Sequence, residues 1–518
     1  MPQGVRRAEI IAVLTAATAM GVGQSPDALL LGTVLSVRFA RHLGWPEQDI
    51  ETTYWYGLLR YAGCHAENHA FSALVGDEIA FNREYGLIDN GNPDELLPLV
   101  IRLAQRAHAE LGTAGVQALL AAALPAMQQN AEQVIGGHCD VAQRIGTRLG
   151  FGDRIVHALG QFRERWDGRG LPLHISGDAI DLPVRLVFLC HDVAAITDAL
   201  GRTAALEAVR ARAGSAYEPG LAASLLTAND ELLTCLKSPS AWNDVLALEP
   251  GEPQLLSDAE LDDVCAVIAD FCDLQLPDAV NHSRSVATLV ATAGKSLGIA
   301  APDLARLRRA ALLHDIGYAP VPVRSRGGYA NRMHTSGEVK LHPYHSEELI
   351  GRVRGMAAEA ELAGRHHEAI DGSGYFRGLS GAALSRPARV LAAAEAYQSA
   401  LEGRFGSPGS APPEAAAAMN AAVRQGRLDG EAVKAVLAAA GHRVPIKKTT
   451  MVAGLTNREL EILRLAATGL STKETADRLG ISPKTADNHL QSVYAKIEVK
   501  TRAGATLFAI EHGLCSRK

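Results

Sequence analysis

The chain carries one helical framework twice, and the two copies differ in which side chains decorate it. Leu43-Gly44-Trp45-Pro46-Glu47 aligns with Leu297-Gly298-Ile299-Ala300-Ala301 at an offset of 254 positions (297 − 43). Carried forward, that register puts Leu58-Leu59-Arg60-Tyr61-Ala62-Gly63-Cys64 on Leu312-Leu313-His314-Asp315-Ile316-Gly317-Tyr318, and carried back it puts Ala28 on His282. A second match runs at an offset of 204 (371 − 167): Phe162-Arg163-Glu164-Arg165-Trp166-Asp167-Gly168-Arg169-Gly170 falls on His366-His367-Glu368-Ala369-Ile370-Asp371-Gly372-Ser373-Gly374. The same offset pairs His138 with His342, Ser176-Gly177 with Ser380-Gly381, and His191 with Glu395. Repetition at this length means one folded unit used twice. The first copy carries about 50 extra residues (254 − 204) between Cys64 and His138. This segment reads as a polar loop, Asn82 to Asp94, followed by two helical patterns from Leu96.

At 518 residues the chain has room for about three domains with sizeable cores. Hydrophobic residues make up 47% while aromatics make up only 5%, and the Ala-rich runs favour helices over sheets. No apolar run reaches the roughly 18 residues of a membrane span. Met1 to Ile10 lacks the features of a signal peptide. Seven cysteines without paired spacing suit a reducing compartment, so a cytoplasmic chain with no membrane contact is expected. Charge is uneven: residues 454–518 hold 10 Lys+Arg against 7 Asp+Glu, in a chain whose net charge is −6. This makes the C-terminal piece the candidate for touching nucleic acid.

The second copy is where chemistry concentrates. His314-Asp315 closes an apolar helical pattern (Leu304, Leu307, Ala311, Leu312) and is cut off by Gly317, which places both side chains at a helix end. His342 and His366-His367 follow downstream, and His282 lies upstream with Asp278 one turn earlier. Any one of these histidines reads most simply as a hydrogen-bonded or surface residue, as the second His-Asp pair at His191-Asp192 warns. The ordered set is different. Imidazoles and carboxylates from several helices, with an Asp able to bridge, describe a centre for two divalent ions that activates water against a phosphodiester.

His282-Ser283, His314-Asp315-Ile316-Gly317, His342-Pro343, His366-His367-Glu368 and Asp371-Gly372-Ser373-Gly374-Tyr375 together resemble the signature of HD-GYP domains, over about residues 270–442. That family is an all-helical branch of the HD phosphohydrolases whose members hydrolyse cyclic dinucleotides, chiefly cyclic diguanylate. The resemblance implies that His282, His314, Asp315 and Glu395 surround one ion, with Asp315 bridging to a second held by His342 and His366. His367, with Asp278, serves a third ion or orients a phosphate. Asp315, His367 and Asp371 become the catalytic candidates, and Gly374, Tyr375 and Arg377 the substrate-binding ones. Iron, manganese and zinc all suit such ligands. Three positions depart from the family: Tyr318 stands where Lys is usual, Phe376 where Pro is usual, and Glu395 where Asp is usual. The missing Lys removes a cation that would meet phosphate, so turnover and substrate choice rest on the remaining residues. The first copy resembles a degenerate member. With Arg60-Tyr61 for the His-Asp pair it retains only His138 and His191, which cannot hold a two-metal centre.

Residues 454–518 form a separate helical unit. Thr456 with Glu459 makes a capping box, Thr472 to Leu479 is a second helix stopped at Gly480, and Ser482-Pro483 opens a third. Helix, Gly turn and Pro-started helix is the helix-turn-helix plan, in which the last helix enters the major groove. Its outward face offers Lys484, Thr485, Asn488 and His489, with Lys496 and Arg502 near the phosphates, while Leu490, Val493 and Ile497 face inward. The unit resembles LuxR-type DNA-binding domains, through Leu455-Thr456-Asn457-Arg458-Glu459, the turn Thr475 to Ser482, and Thr485 and His489. Ala486 and Asp487 depart from that family's usual residues, so its base preference is not inherited.

The expected architecture is therefore all-α. A degenerate HD-GYP-like domain spans 1–236, a connector 237–257, a metal-binding HD-GYP-like domain 258–442, a linker 443–453 and a LuxR-type helix-turn-helix 454–518. The expected function is a homodimeric signalling regulator that hydrolyses a cyclic dinucleotide and couples this to DNA binding through the short linker. The rivals are a catalytically silent nucleotide-sensing transcription factor and an HD phosphohydrolase acting on another phosphoester.

Overall fold

The computed structural model describes residues 4–63, 72, 74–274, 279–322, 337–403, 408–441 and 453–514, without the side chains of 126–130 and 457. The linker 443–452, His442, Cys64, Cys515 and Asp278 lie outside the described residues. Two compact units emerge: Arg6–Leu255, and Leu256–Lys518 together with Met1–Val5. Every named element among the described residues is helical, and none of the helices is long and apolar enough to cross a membrane.

Each copy is built on the same three helices. In the first unit Ala28–His42 packs against Glu47–Leu59 and Leu182–Leu200; in the second, His282–Ser296 packs against Ala301–Leu313 and Arg386–Glu402. The Leu-Gly pair ends the first of these helices identically in both. Gly44 (φ +69°) and Gly298 (φ +72°) take the left-handed conformation. The flanking amides bond back, Gly44 N to Arg41 O and Trp45 N to Ala40 O, matched by Gly298 N to Lys295 O and Ile299 N to Gly294 O. That bond pair is a Schellman stop, which a glycine at this position makes cheap.

The extra segment of the first copy is more helical than expected. Glu78–Tyr85 is a helix, capped by Asp77, whose carboxylate accepts from Ala80 N, so the anticipated polar loop is confined to the turn before Pro93–Ala107. Polar residues hid this helix, while Phe81 and Tyr85 stack on its inner side. Gly112–Arg148 then runs as one 37-residue helix into the copy's core, delivering His138. The segment has an apolar cluster of its own, centred on Leu74, Phe81, Leu99, Val100 and Leu103.

The connector also differs from expectation. Residues 241–247 form a helix capped by Ser240, which accepts from Asn243 N, and it packs on Ala28–His42 as part of the first unit. In the second unit the Ala-rich pair closing the domain is Pro412–Arg424 and Gly430–Ala440. Four further helices follow, Asn457–Ala467, Thr472–Leu479, Pro483–Lys496 and Arg502–Glu511, around a core that includes Leu463, Leu490, Val493 and Ile497. Thr456 with Glu459 and Ser471 with Glu474 form complete capping boxes, and Gly480 ends the second helix at φ +63°.

Candidate metal centre and DNA-facing helix

Four helix ends and one helix face converge in the second unit. His282 opens its helix, His314 follows the end of Ala301–Leu313, His342 opens His342–Gly351, and His366 follows Ala357–Ala363, while Glu395 projects from Arg386–Glu402. His282, His314, His342 and His366 are at most 1% exposed, as is Glu395, and Asp315 is 2% exposed. So many polar groups leave water only when something compensates each of them.

The outer ring nitrogens are compensated by protein. Nδ1 of His314 lies 2.8 Å from Ala311 O, Nδ1 of His342 lies 2.6 Å from Val339 O, and Nδ1 of His366 lies 2.5 Å from Ala363 O. In the neutral ring each Nδ1 donates to its carbonyl, which leaves the lone pair on Nε2. Nδ1 of His282 is 2.7 Å from Glu402 Oε2. The inner nitrogens then face one another. His342 Nε2 and His366 Nε2 are 2.9 Å apart, and His282 Nε2 lies 3.3 Å from His314 Nε2 and 2.7 Å from Glu395 Oε2. Asp315 Oδ1 stands among them, 3.3 Å from His314 Nε2, 3.6 Å from His342 Nε2 and 3.7 Å from His366 Nε2.

Lone pairs pointed at each other across about 3 Å repel, and the charge that reconciles them is a cation. Two donor sets come within the reach of single ions: His282, His314 and Asp315, and His342, His366 and His367. Glu395 adjoins the first set, and Asp315 touches both. Burial, reinforced by the imidazoles of His367, His314 and His342, holds His366 well below its usual pKa, in the neutral form a metal requires. His314 is pulled down by burial, but Asp315 and Glu395 outweigh this and raise it. The residues present therefore fit divalent ions of the first transition row.

The remaining expected site residues divide. Tyr375 stacks on His367 with ring centroids 4.7 Å apart, beside the second donor set. Gly374 has a folding role: a Cβ there would lie 2.3 Å from Ala369 N and 2.5 Å from His367 O. Arg377 is held by Glu347 at 2.9 Å and lies over the Phe376 ring, so its charge is already partnered. Asp371 is exposed and turned into its own loop, accepting from Ser373 N and Ser373 Oγ, bonds that lower its pKa. The structure thus gives Asp371 a turn-forming contact inside its own motif. Asp278 is outside the described residues.

Two supporting residues were missed. Glu402 orients His282, and Ser399 Oγ donates to Glu395 Oε1 at 2.5 Å. Positions 395, 399 and 402 share one helical stripe, but a Glu at a helix end carries no signal in sequence that separates it from a solvated charge. Tyr318, in place of the usual Lys, is buried and stacks on His342 at 3.9 Å. Its ring lies against the imidazole of a candidate ligand. Glu402→Gln is expected to weaken metal binding about 10–100-fold, as removal of an outer hydrogen-bond partner does, in competition titrations against a chelator.

The first copy repeats this scaffold with other side chains. A Cβ on Gly63 would lie 2.0 Å from His138 O, and one on Gly317 2.0 Å from His342 O. Glu164 accepts from Leu173 N at 2.6 Å as Glu368 accepts from Arg377 N at 2.7 Å. Where His314 would be, buried Arg60 donates to Phe162 O and lies over the Tyr61 ring. His191 stacks on Tyr61 at 5.8 Å.

On the C-terminal unit Lys484, Thr485 and Asn488 are exposed and His489 is half-buried, all on the Pro483–Lys496 helix. Lys496 and Arg502 each have partners inside the domain. Lys496 Nζ bonds Glu459 Oε2 at 2.7 Å, and the Arg502 guanidinium donates to Ala466 O and Leu470 O, so both tie helices together. Lys496→Met is accordingly expected to lower the stability of this unit by about 1 kcal/mol, seen in thermal unfolding of the chain without DNA.

Residues 266–432 match the HD domain family, and residues 453–509 match the bacterial regulatory proteins of the luxR family. The chain is 26% identical over 397 residues to 3'3'-cGAMP-specific phosphodiesterase 3 of Vibrio cholerae, covering 75% of this chain and 85% of the relative. It is 35% identical over 123 residues to the cyclic di-GMP phosphodiesterase response regulator RpfG of Xanthomonas campestris, covering 23% of this chain and 32% of that protein. A crystal structure of a cyclic GMP-AMP specific phosphodiesterase from V. cholerae shares the fold, with a TM-score of 0.58 at 21% identity over 85% of this chain and 99% of that one. The chain thus carries an HD domain of the HD-GYP kind and, behind it, a DNA-binding domain of the LuxR family.

Proposed function

We propose that the second unit is a metal-dependent phosphodiesterase for a 3'3'-linked cyclic dinucleotide, and that its state is passed to the helix-turn-helix. The observation that carries this reading is the convergence of four buried imidazole Nε2 atoms on Asp315, each imidazole held from behind through Nδ1. His282, His314, Asp315 and Glu395 would hold one ion, and His342 and His366, with Asp315 shared, a second. His367 stands beside them at the edge, half-buried. Bound divalent ions supply Lewis-acid stabilisation of the charge that develops on a phosphodiester under attack. The protein's part is to fix the ligand rings, to exclude water behind them, and to offer Tyr375 and His367 as the wall on which a base or phosphate rests.

The relative covering three quarters of the chain is named for 3'3'-cGAMP, which puts that nucleotide ahead of cyclic di-GMP as substrate. The test is incubation of the purified, metal-loaded chain with each nucleotide and separation of linear products. Linear product from 3'3'-cGAMP at a higher kcat/KM than from cyclic di-GMP supports the reading, and bound metal without any linear product overturns it. That negative outcome would favour a silent receptor, which Tyr318 in place of a cation already makes a coherent alternative.

Coupling to DNA is supported by packing inside this unit: Leu274, at the end of Asp258–Leu274, and Val280, two residues before His282, lie against the apolar core of the helix-turn-helix. DNA reading is assigned to Lys484, Thr485, Asn488 and His489, in a homodimer. Asn488→Ala should relax base choice at one position, costing about 1–3 kcal/mol of discrimination there, as read by selection of binding sites from a random duplex pool.

A further inference from the structure

The first copy lost its metal ligands and gained a cavity on the spot. Tyr61, Phe162, Arg163 and His138 occupy the positions that Asp315, His366, His367 and His342 hold in the second copy, and all four line one pocket of about 220 Å³. Its opposite wall comes from the inserted helices, through Phe81, Tyr85, Leu96, Val100 and Leu124. Insertion and ligand loss are separate changes in the sequence, yet they meet at one space. A lid kept only for packing would have filled it, since interiors close to near-crystalline density.

The lining specifies what fits. Most of it is aliphatic or aromatic, as in sites for small organic ligands. Among the described lining residues the fixed cation is Arg163, whose guanidinium lies over the rings of Phe162 (4.8 Å) and Tyr85 (5.1 Å), which orient it at the wall. Beside it, neither ring nitrogen of His138 has a hydrogen-bond partner among the described residues, although both are shut off from solvent. Burial, with the charge of Arg163, pushes this imidazole down to about 4, so it is a neutral donor and acceptor. A cyclic dinucleotide, with two phosphates and large polar bases, is poorly matched to one guanidinium in a small apolar chamber.

We propose that this cavity binds an amphipathic monocarboxylate, its apolar body among Val100, Leu124 and the insertion's aromatics, its carboxylate on Arg163 beside His138. The first copy is then a receptor for a second chemical signal, unrelated to the nucleotide of the second copy. Arg163 suits the head group because guanidinium and carboxylate form paired, charge-assisted bonds that an alcohol cannot make.

The probe is octanoate, titrated calorimetrically into the full-length protein, with 1-octanol as the uncharged match. Both metal-loaded and chelator-treated protein are used, so that carboxylate binding at the metals of the second copy is separated from binding here. Expected is one saturable octanoate site of the same affinity in both preparations, at least about tenfold tighter than octanol. Arg163→Gln should bring acid and alcohol to equal affinity, and Leu97→Trp, at a partly exposed position of the lining, should weaken octanoate while sparing the fold. Absence of saturable octanoate binding, or octanol binding as tightly as octanoate in the unaltered protein, overturns the proposal. Octanoate affinity unchanged in a folded Arg163→Gln protein overturns it as well. None of these results bears on nucleotide hydrolysis, which is read separately.

Discussion

Asp315→Ala is expected to empty the second unit of metal and to reduce phosphodiester hydrolysis by at least about 10³-fold. The reason is positional. Asp315 Oδ1 lies 3.3, 3.6 and 3.7 Å from the Nε2 atoms of His314, His342 and His366, and Oδ2 lies 3.8 Å from His282 Nε2, so one side chain faces both donor sets. Removing it leaves four imidazoles without the carboxylate between them. Affinity for both ions should therefore fall together, by more than about 100-fold, rather than one site emptying while the other stays full. Metal content by elemental analysis checks the first expectation and product formation the second. Retention of one ion at full occupancy would mean that Asp315 serves only one set, and Glu395→Ala would then be the variant that empties the other.

The contrast with Glu402→Gln is instructive. Glu402 touches a ligand's far nitrogen, so its loss loosens a ring without deleting a donor, and the penalty is correspondingly smaller.

What could be read from residues alone follows from where the constraints lie. The histidines that converge in the second unit were legible because a metal centre would demand several uncommon side chains in a fixed chain order. The helix-turn-helix was legible because its boundaries are written in local chemistry: Thr456 and Ser471 with their partners Glu459 and Glu474, Gly480 at the turn, Pro483 at the third helix. The repeat was legible because the Leu-Gly stops favour glycine through their positive φ, and the close-approach glycines Gly63 and Gly317 leave no room for a Cβ. Other features needed coordinates. A Lys such as Lys496 looks the same in sequence whether it meets a phosphate or Glu459, because both partners are anions and only distance separates them. Asp371 sits inside a conspicuous motif, yet its carboxylate bonds two residues onward, a local turn that the motif does not distinguish from catalysis. Glu402, at a helix end, reads as a solvated charge until His282 is seen beside it. The helix Glu78–Tyr85 was hidden by its polar composition, since its apolar stripe is only Phe81 and Tyr85 wide.

Gly317→Ala is expected to be among the most damaging single-methyl changes in the chain, and it tests whether the scaffold and the centre are one object. A Cβ at this position would stand 2.0 Å from His342 O and 2.6 Å from Ser346 N, both backbone atoms of the helix that carries His342. Nothing flexible is available to yield. Gly317 N also donates to Ser346 Oγ, which in turn donates to His314 O, so the contact pins the turn holding His314 and Asp315 against the helix holding His342. A methyl group must push these apart by more than an ångström, and packed interiors do not absorb such a shift. The expected cost is about 3 kcal/mol or more, with loss of metal even where the protein remains folded, because the two donor sets no longer face each other. Gly298→Ala supplies the control. Gly298 has the strained φ of +72° but nothing within 4 Å of the added Cβ, so only the backbone penalty of about 1 kcal/mol applies and the metal should stay. Thermal unfolding with and without chelator separates the outcomes. Equal losses of stability in the two variants, with metal kept in both, would show that the approach of Gly317 to His342 is looser than the structure draws it, and that the metal centre does not depend on it.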